Sequence, residues 1–254
     1  MTETKKTPNP LPVADDASVI KELLANAPLQ EEVTVDLPSK NKFYKLLEPS
    51  SPITVRPMNF EDEKSLVSNK NANADVLNIL LGRCVSNVDI GSILLFDKLY
   101  LLMKLRQISY GEDYQASISC SQCRRENSVK FDLSQLQINY VEEDATDPAE
   151  VTLPVINKKV KLRFPRISDE QYFNNLEGLT ANLWRFVEEV GGHSKKTVIS
   201  GVIKKLPLKD MHLLINTLQG KEYGIDTQVR FACNYCSHHE KMELPITADF
   251  FTIN

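Results

Sequence analysis

Four of the five cysteines form two Cys-x-x-Cys pairs, Cys120 with Cys123 and Cys233 with Cys236, and 109 residues separate the pairs. Two thiolates spaced by two residues in a tight turn can aim both sulfurs at one ion about 2.3 Å away, and structural zinc takes four such ligands. One Zn2+ gathering both pairs would fix the mutual position of distant segments rather than a local loop. Four thiolates leave no open coordination position, so such a site is a staple and not a catalyst. Dithiol redox chemistry needs the pair at a helix N-terminus, where the dipole stabilises thiolate, whereas both pairs here follow alternating strands. Unmetallated turns, and a zinc site completed by a second chain, stand as the other readings. The fifth cysteine, Cys84, lies in the apolar run VLNILLGRCV and reads as a small buried hydrophobe.

The hydrophobic periodicity around the pairs changes several times. Residues 1–30 carry Pro8, Pro10, Pro12 and Pro28 around one apolar patch, VIKELL, and read as a flexible arm with a short amphipathic helix preceded by Asp15, Asp16 and Ser18. Alternation from residue 33 and again in ITVRP predicts strands, and Asn59 followed by Glu61, Asp62 and Glu63 marks a helix start. Helices are predicted over 75–85 and 93–108, then a hairpin with the first Cys pair at its tip. After the acidic linker YVEEDATDPAE comes a second hairpin over 151–164. Ser168, Asp169, Glu170 and Gln171 then open a helix reaching about residue 190, followed by helices over 196–205 and 208–218 and a hairpin carrying the second Cys pair.

This order of elements repeats. With the halves aligned on their cysteines at an offset of 113, Asp97 meets Asp210, Leu101 meets Leu214, Leu105 meets Leu218 and Tyr110-Gly111 meets Tyr223-Gly224. Asp113 meets Asp226 and Gln115 meets Gln228, making seven identities among 25 non-cysteine positions, against about one or two expected from average composition. Upstream, ITVRPMNFEDE parallels VKLRFPRISDE in pattern, with Pro57 against Pro165 at an offset of 108 and an acidic helix start in each, a shift that loop insertions account for. The expected fold is α+β: an N-terminal arm (1–30) and two related helix-plus-hairpin lobes (31–145 and 146–254), each bringing half of the four-cysteine site.

With 30 Lys and Arg against 34 Asp and Glu, the formal charge is -4, which weighs against a phosphate-binding surface. No run reaches the roughly 20 apolar residues of a membrane span, and the opening MTETKKTPNPLP lacks the apolar core of a secretion signal. A reducing cytosol is the expected compartment. Arg124 and Arg125 beside the first pair, and His238 and His239 beside the second, read as solvated turn residues, with ligand replacement by a histidine as the alternative. His193 and His212 stand isolated, no phosphate loop is present, and the acidic pairs sit where capping explains them, so no enzyme is expected.

The string LPSKNKFY at 37–44, followed by ITVRPMNFEDE, then RQISYG at 106–111 and Cys120-x-x-Cys123, resembles the baseplate hub assembly proteins of T4-like contractile-tailed bacteriophages. The resemblance covers about residues 35–140 directly and the remainder through the repeat. It implies a late viral structural protein that helps to build the hub of the tail baseplate by binding other hub and tail proteins. It implies no enzymatic reaction, and places the protein in the host cytoplasm during assembly, with retention in the virion left open. A nucleic-acid-binding zinc-ribbon protein is the alternative, motivated by the two Cys turns and Arg124-Arg125; such ribbons bring their pairs within a few tens of residues.

Overall fold

The computed structural model describes residues 16–25, 31–68, 73–172, 176–218, 223–244, 246 and 248–251. Residues 1–31 make one compact unit and residues 32–254 another. In the first, helix α1 (Asp16–Ala25) contains the VIKELL patch, with Val19, Ile20 and Leu23 exposed. The rest of the expected arm lies outside the described residues. No described helix is long and apolar enough to cross a membrane.

The second unit opens with β1 (Val33–Thr34), β2 (Thr54–Val55), α2 (Phe60–Ser68), α3 (Asn73–Cys84) and β3 (Val85–Ser86). The three strands form an antiparallel sheet in the order β1-β2-β3. Between β1 and β2 the alternating stretch breaks at LPSKNK into a turn, with Lys40 and Asn41 at positive φ and the Lys40 amide donating to the Leu37 carbonyl at 2.7 Å. Helix α4 (Leu95–Tyr110) follows. It buries Phe96, Leu101, Leu102, Met103 and Leu105 together with Asp97, Lys98 and Arg106, which makes it a central core helix rather than a surface one. Gly111, at φ +88°, ends it, its amide donating to Gln107.

Strands β4 (Asp113–Ser119) and β5 (Glu126–Asp132) make the first Cys hairpin, and β6 (Ile138–Asn139) follows. Then come β7 (Ala149–Thr152), β8 (Lys159–Leu162), α5 (Leu176–Asn182) and β9 (Val187–Val190), with sheet order β7-β8-β9 and every pairing antiparallel. Next come α6 (Lys196–Ile203), α7 (Leu208–Leu218), β10 (Gly224–Ile225) and the second Cys hairpin, β11 (Gln228–Ala232) with β12 (His239–Glu243).

The helix expected from residue 168 to about 190 is not continuous. Residues Ile167–Tyr172 form a 3-10 turn, α5 ends at Asn182, and 187–190 is a strand. The reason is tertiary. Strand β8 buries Val160 and Leu162, and β9 closes its open side with Val187 and Val190 buried, using backbone groups that a helix would have turned inward.

Matching side-chain devices recur in the two halves. Arg56 grips Asp62 through both terminal guanidinium nitrogens (2.7 and 3.3 Å), and Asp62 also accepts the Asn59 amide. Arg163 grips Asp169 the same way (2.7 and 2.9 Å), and Asp169 accepts the Arg166 amide. Buried Asp97 accepts the Ser39 amide of the LPSKNK turn at 3.0 Å, while buried Asp210 accepts the Val155 and Ile156 amides of the turn LPVINK at 2.8 and 3.1 Å.

Main-chain bonds sew the halves together. Strand β10 pairs with β6, Gly224 opposite Asn139, and the Leu95 amide donates to the Pro165 carbonyl. Phe164 packs between Phe43 and Phe96 with ring centroids 5.8 Å away in each case. Buried Lys98 pairs with Glu170. One core cluster takes in the first sheet, most of α4, the apolar faces of both Cys hairpins and Phe250 and Phe251; the second sheet with α5, α6 and α7 keeps another, and Leu94, Phe96, Val141 and Phe164 form a third.

Candidate metal centre

Each Cys pair sits at a hairpin tip because the strands place alternate side chains on one face. Tyr114, Ala116 and Ile118 lead to Cys120 on the inner face of β4, and Val229 and Phe231 lead to Cys233 on that of β11. The turns have one geometry. The Cys120 amide donates to the Arg125 carbonyl and the Arg124 amide to the Cys120 carbonyl, at 3.0 and 2.9 Å. In the second turn the Cys233 amide donates to His238 and the Ser237 amide to Cys233, at 2.9 and 3.0 Å. Arg124 and Ser237, 113 positions apart, both adopt positive φ, 58° and 57°.

The two tips meet. Cys120 Sγ lies 3.7 Å from Cys236 Sγ, and Cys123 Sγ lies 3.6 Å from Cys233 Sγ. All four sulfurs fall within 4.8 Å of one another. Four sulfurs placed tetrahedrally about 2.3 Å from an ion stand about 3.8 Å apart, so these residues fit a zinc-sized cation with little movement. The centre lies at the rim of the core: Cys120 and Cys233 are buried, Cys123 is half-buried and Cys236 is exposed.

The groups around the sulfurs are reciprocal. The Asn127 side-chain oxygen accepts the Asn234 amide at 2.9 Å, and its nitrogen lies 3.6 Å from Cys233 Sγ. The Glu240 carboxylate accepts the Ser121 amide at 3.3 Å. Asn127 and Glu240 are themselves 113 positions apart, so each half steadies the residue that follows the first cysteine of the other.

Burial raises the Cys233 thiol, but the Tyr235 and Cys236 amides and the neighbouring thiols outweigh it and bring it down to about 6. The His238 amide lowers Cys236, yet burial and the adjoining sulfurs push it up to about 12. The Cys233 thiolate thus suppresses ionisation of Cys236, a repulsion that a cation between the sulfurs would offset.

Neither His238 nor His239 enters the four-sulfur cluster. His238 lies 4.0 Å from Glu240 and serves the turn through its backbone carbonyl. Arg125 stacks over exposed Tyr235 at 5.1 Å, and exposed Arg124 and Arg125 stand beside exposed Glu126. Cys84 is buried away from the centre, its thiol 3.9 Å from Asp62; burial, then the Asp62 charge, pushes it up to about 12. The supporting Asn127 and Glu240 escape a search for identical residues because their types differ, although the constant offset from the cysteines aligns them.

The model of one protein family, described as T4 bacteriophage base plate protein, matches residues 30–252. No curated protein and no solved structure matches the chain.

Proposed function

The chain belongs to the T4 bacteriophage base plate protein family, and from that premise we propose that it is an assembly component of the baseplate hub. Membership makes it a structural protein of the phage tail baseplate, working in contact with other baseplate proteins. In the finer reading it is made late in infection, acts in the host cytoplasm as the hub is built, binds hub and tail proteins, and catalyses no reaction. The observation that carries this reading is the extent of the family match, which takes in both Cys hairpins and nearly all of the second compact unit.

The fold serves that role as a rigid body clamped by one structural Zn2+ on Cys120, Cys123, Cys233 and Cys236. Two lobes, 31–145 and 146–254, arose by internal duplication. The paired Arg-Asp grips, the buried Asp97 and Asp210 and the constant offset through both hairpins support that origin. Zinc then marks where the copies meet, and the four thiolates give it a stapling role with no site for substrate.

The test is fractionation of baseplate subassemblies from infected cells, with the protein followed by mass spectrometry. The hub reading expects it with central hub components before the outer baseplate joins. Recovery only with peripheral components, or with none, overturns it.

A further inference from the structure

In the first half, the LPSKNK turn is covered by the chain itself. Val141 is 1% exposed and its amide donates to the Pro38 carbonyl at 2.9 Å. Glu143 pairs with Lys40 and with Lys42, and the Lys42 ammonium also donates to the Glu142 carbonyl at 3.1 Å. A segment reading Val-Glu-Glu, turning back at Glu142–Ala145 where the Ala145 amide donates to the Glu142 carbonyl, therefore lies over the turn, its apolar residue sunk and its Glu143 carboxylate on the lysines. Beneath it Pro38 is buried and Ser39 is 0% exposed.

The corresponding turn of the second half, LPVINK at 153–158, is anchored by Asp210 as the first is by Asp97, but it lies open. Pro154 is exposed, Val155 is 52% exposed, and Leu208, at the start of α7, is 67% exposed where its counterpart Leu95 is half-buried. Among the described residues no backbone amide reaches the Pro154 carbonyl. The lysine ion pairs nearby fall on Lys159, Lys161 and Lys196. Exposed Lys158, within the turn, and Lys209, next to Leu208, have none among the described residues.

We propose that the LPVINK turn with Leu208 is a docking surface for a short segment of another protein, one aliphatic residue followed by carboxylates. The occupant's chemistry is set by two observations: the way the chain covers its own first turn, and unpaired lysines beside exposed aliphatic side chains in the second. A main-chain hydrogen bond to the Pro154 carbonyl fixes the register, Val155 and Leu208 take the aliphatic residue, and the lysines take the charge. The surface rests on the reading that this protein works by binding other proteins, and gives that binding a place and a chemistry.

The test has two arms, both on the full chain. A photoreactive benzoylphenylalanine at position 155, irradiated in assembled baseplates, is expected to crosslink to a stretch of another protein in which an aliphatic residue precedes acidic ones. A labelled peptide with the sequence of residues 137–145, QINYVEEDA, is titrated by fluorescence anisotropy. Binding should weaken about tenfold or more with Val155→Asp plus Leu208→Asp, and likewise when both glutamates of the peptide become lysine. Both substituted side chains are exposed, so melting and metal content should hold. Crosslinks confined to the chain itself, to a segment lacking that pattern or to nothing overturn the proposal, as does peptide binding indifferent to the substitutions. If the protein never enters baseplates, the hub reading fails on its own, and the titration still judges the surface.

Discussion

Asn127 and Glu240 perform one task in opposite directions: the Asn127 oxygen holds the Asn234 amide, and the Glu240 carboxylate holds the Ser121 amide. Each fixes the turn that carries the other half's cysteines. Groups that orient ligands without touching the metal typically change affinity about 10–100-fold when removed. Asn127→Ala is expected to weaken zinc binding within that range, with a smaller loss for Glu240→Ala, whose hydrogen bond is longer. Competition against a chromophoric chelator measures both, and unchanged affinity in Asn127→Ala would remove the supporting role.

One zinc per chain is expected by elemental analysis, and native mass then separates an intrachain site from one shared across a dimer. With free zinc at about a thousand times its dissociation constant, linkage contributes about 4 kcal/mol. At about 2–4 °C per kcal/mol for a chain of this size, chelation or Cys233→Ser should lower the melting midpoint by about 8–16 °C. A metal-free protein with four freely titrating thiols and an unaltered melt would contradict the staple.

Gly111 and Gly224 both adopt positive φ, +88° and +92°, after the same Tyr. Their surroundings differ. A Cβ on Gly111 meets nothing within 4 Å, whereas one on Gly224 lies 2.9 Å from Phe96 Cβ and 3.0 Å from its carbonyl oxygen. Gly111→Ala should cost about 1–2 kcal/mol from backbone strain alone, and Gly224→Ala about 2 kcal/mol more, because α4 must give way. Urea unfolding of the two variants compares them directly, and equal losses would mean that the close approach to α4 is not there.

Burial pushes the Asp97 carboxyl from 3.8 up to about 6, although the Ser39 amide and Tyr44 hydroxyl both bond its ionised form. The folded state therefore holds the proton more tightly than the unfolded one. Its contribution to stability is complete below about 3.8 and is lost as pH rises through 6. Asp62 and Asp169 run the other way: burial raises them, but Arg56 and Arg163 outweigh it and hold both below 3.8. Their contribution is present above that value and disappears as pH falls through their folded pKa. Relative to Asp97→Asn, the native protein should lose stability between pH 4 and 7 by at most about 1.4 kcal/mol per pH unit. Denaturant titrations across that range measure the difference, and a flat one would show that Asp97 does not titrate as described.

Much of this was legible where the signal is local. Alternation ending in Cys-x-x-Cys anticipates both hairpins, and the bounds of α7, residues 208–218, match its periodicity. Strand β9 was not legible, because what makes residues 187–190 a strand is the open side of β8, some 25 residues earlier in the chain. The recurrence of Leu-Pro-x-x-Asn-Lys at 37–42 and 153–158 is present in the sequence, but its offset of 116 hides it from an alignment anchored on the cysteines. That Asp97 and Asp210 anchor those turns is invisible in one dimension, because acids in the first turn of a helix already have an explanation in the dipole.

Phe250 and Phe251 close the core that Leu37 and Ile53 begin, and the Phe251 carbonyl accepts the Tyr110 hydroxyl. A ribosome delivers these parts in the opposite of a convenient order. Elongation at about 5–20 residues per second puts about 10–40 s between Ile53 and Phe250. Throughout that interval the early core stands open at one side, so its closure waits on the synthesis of Phe250 and Phe251.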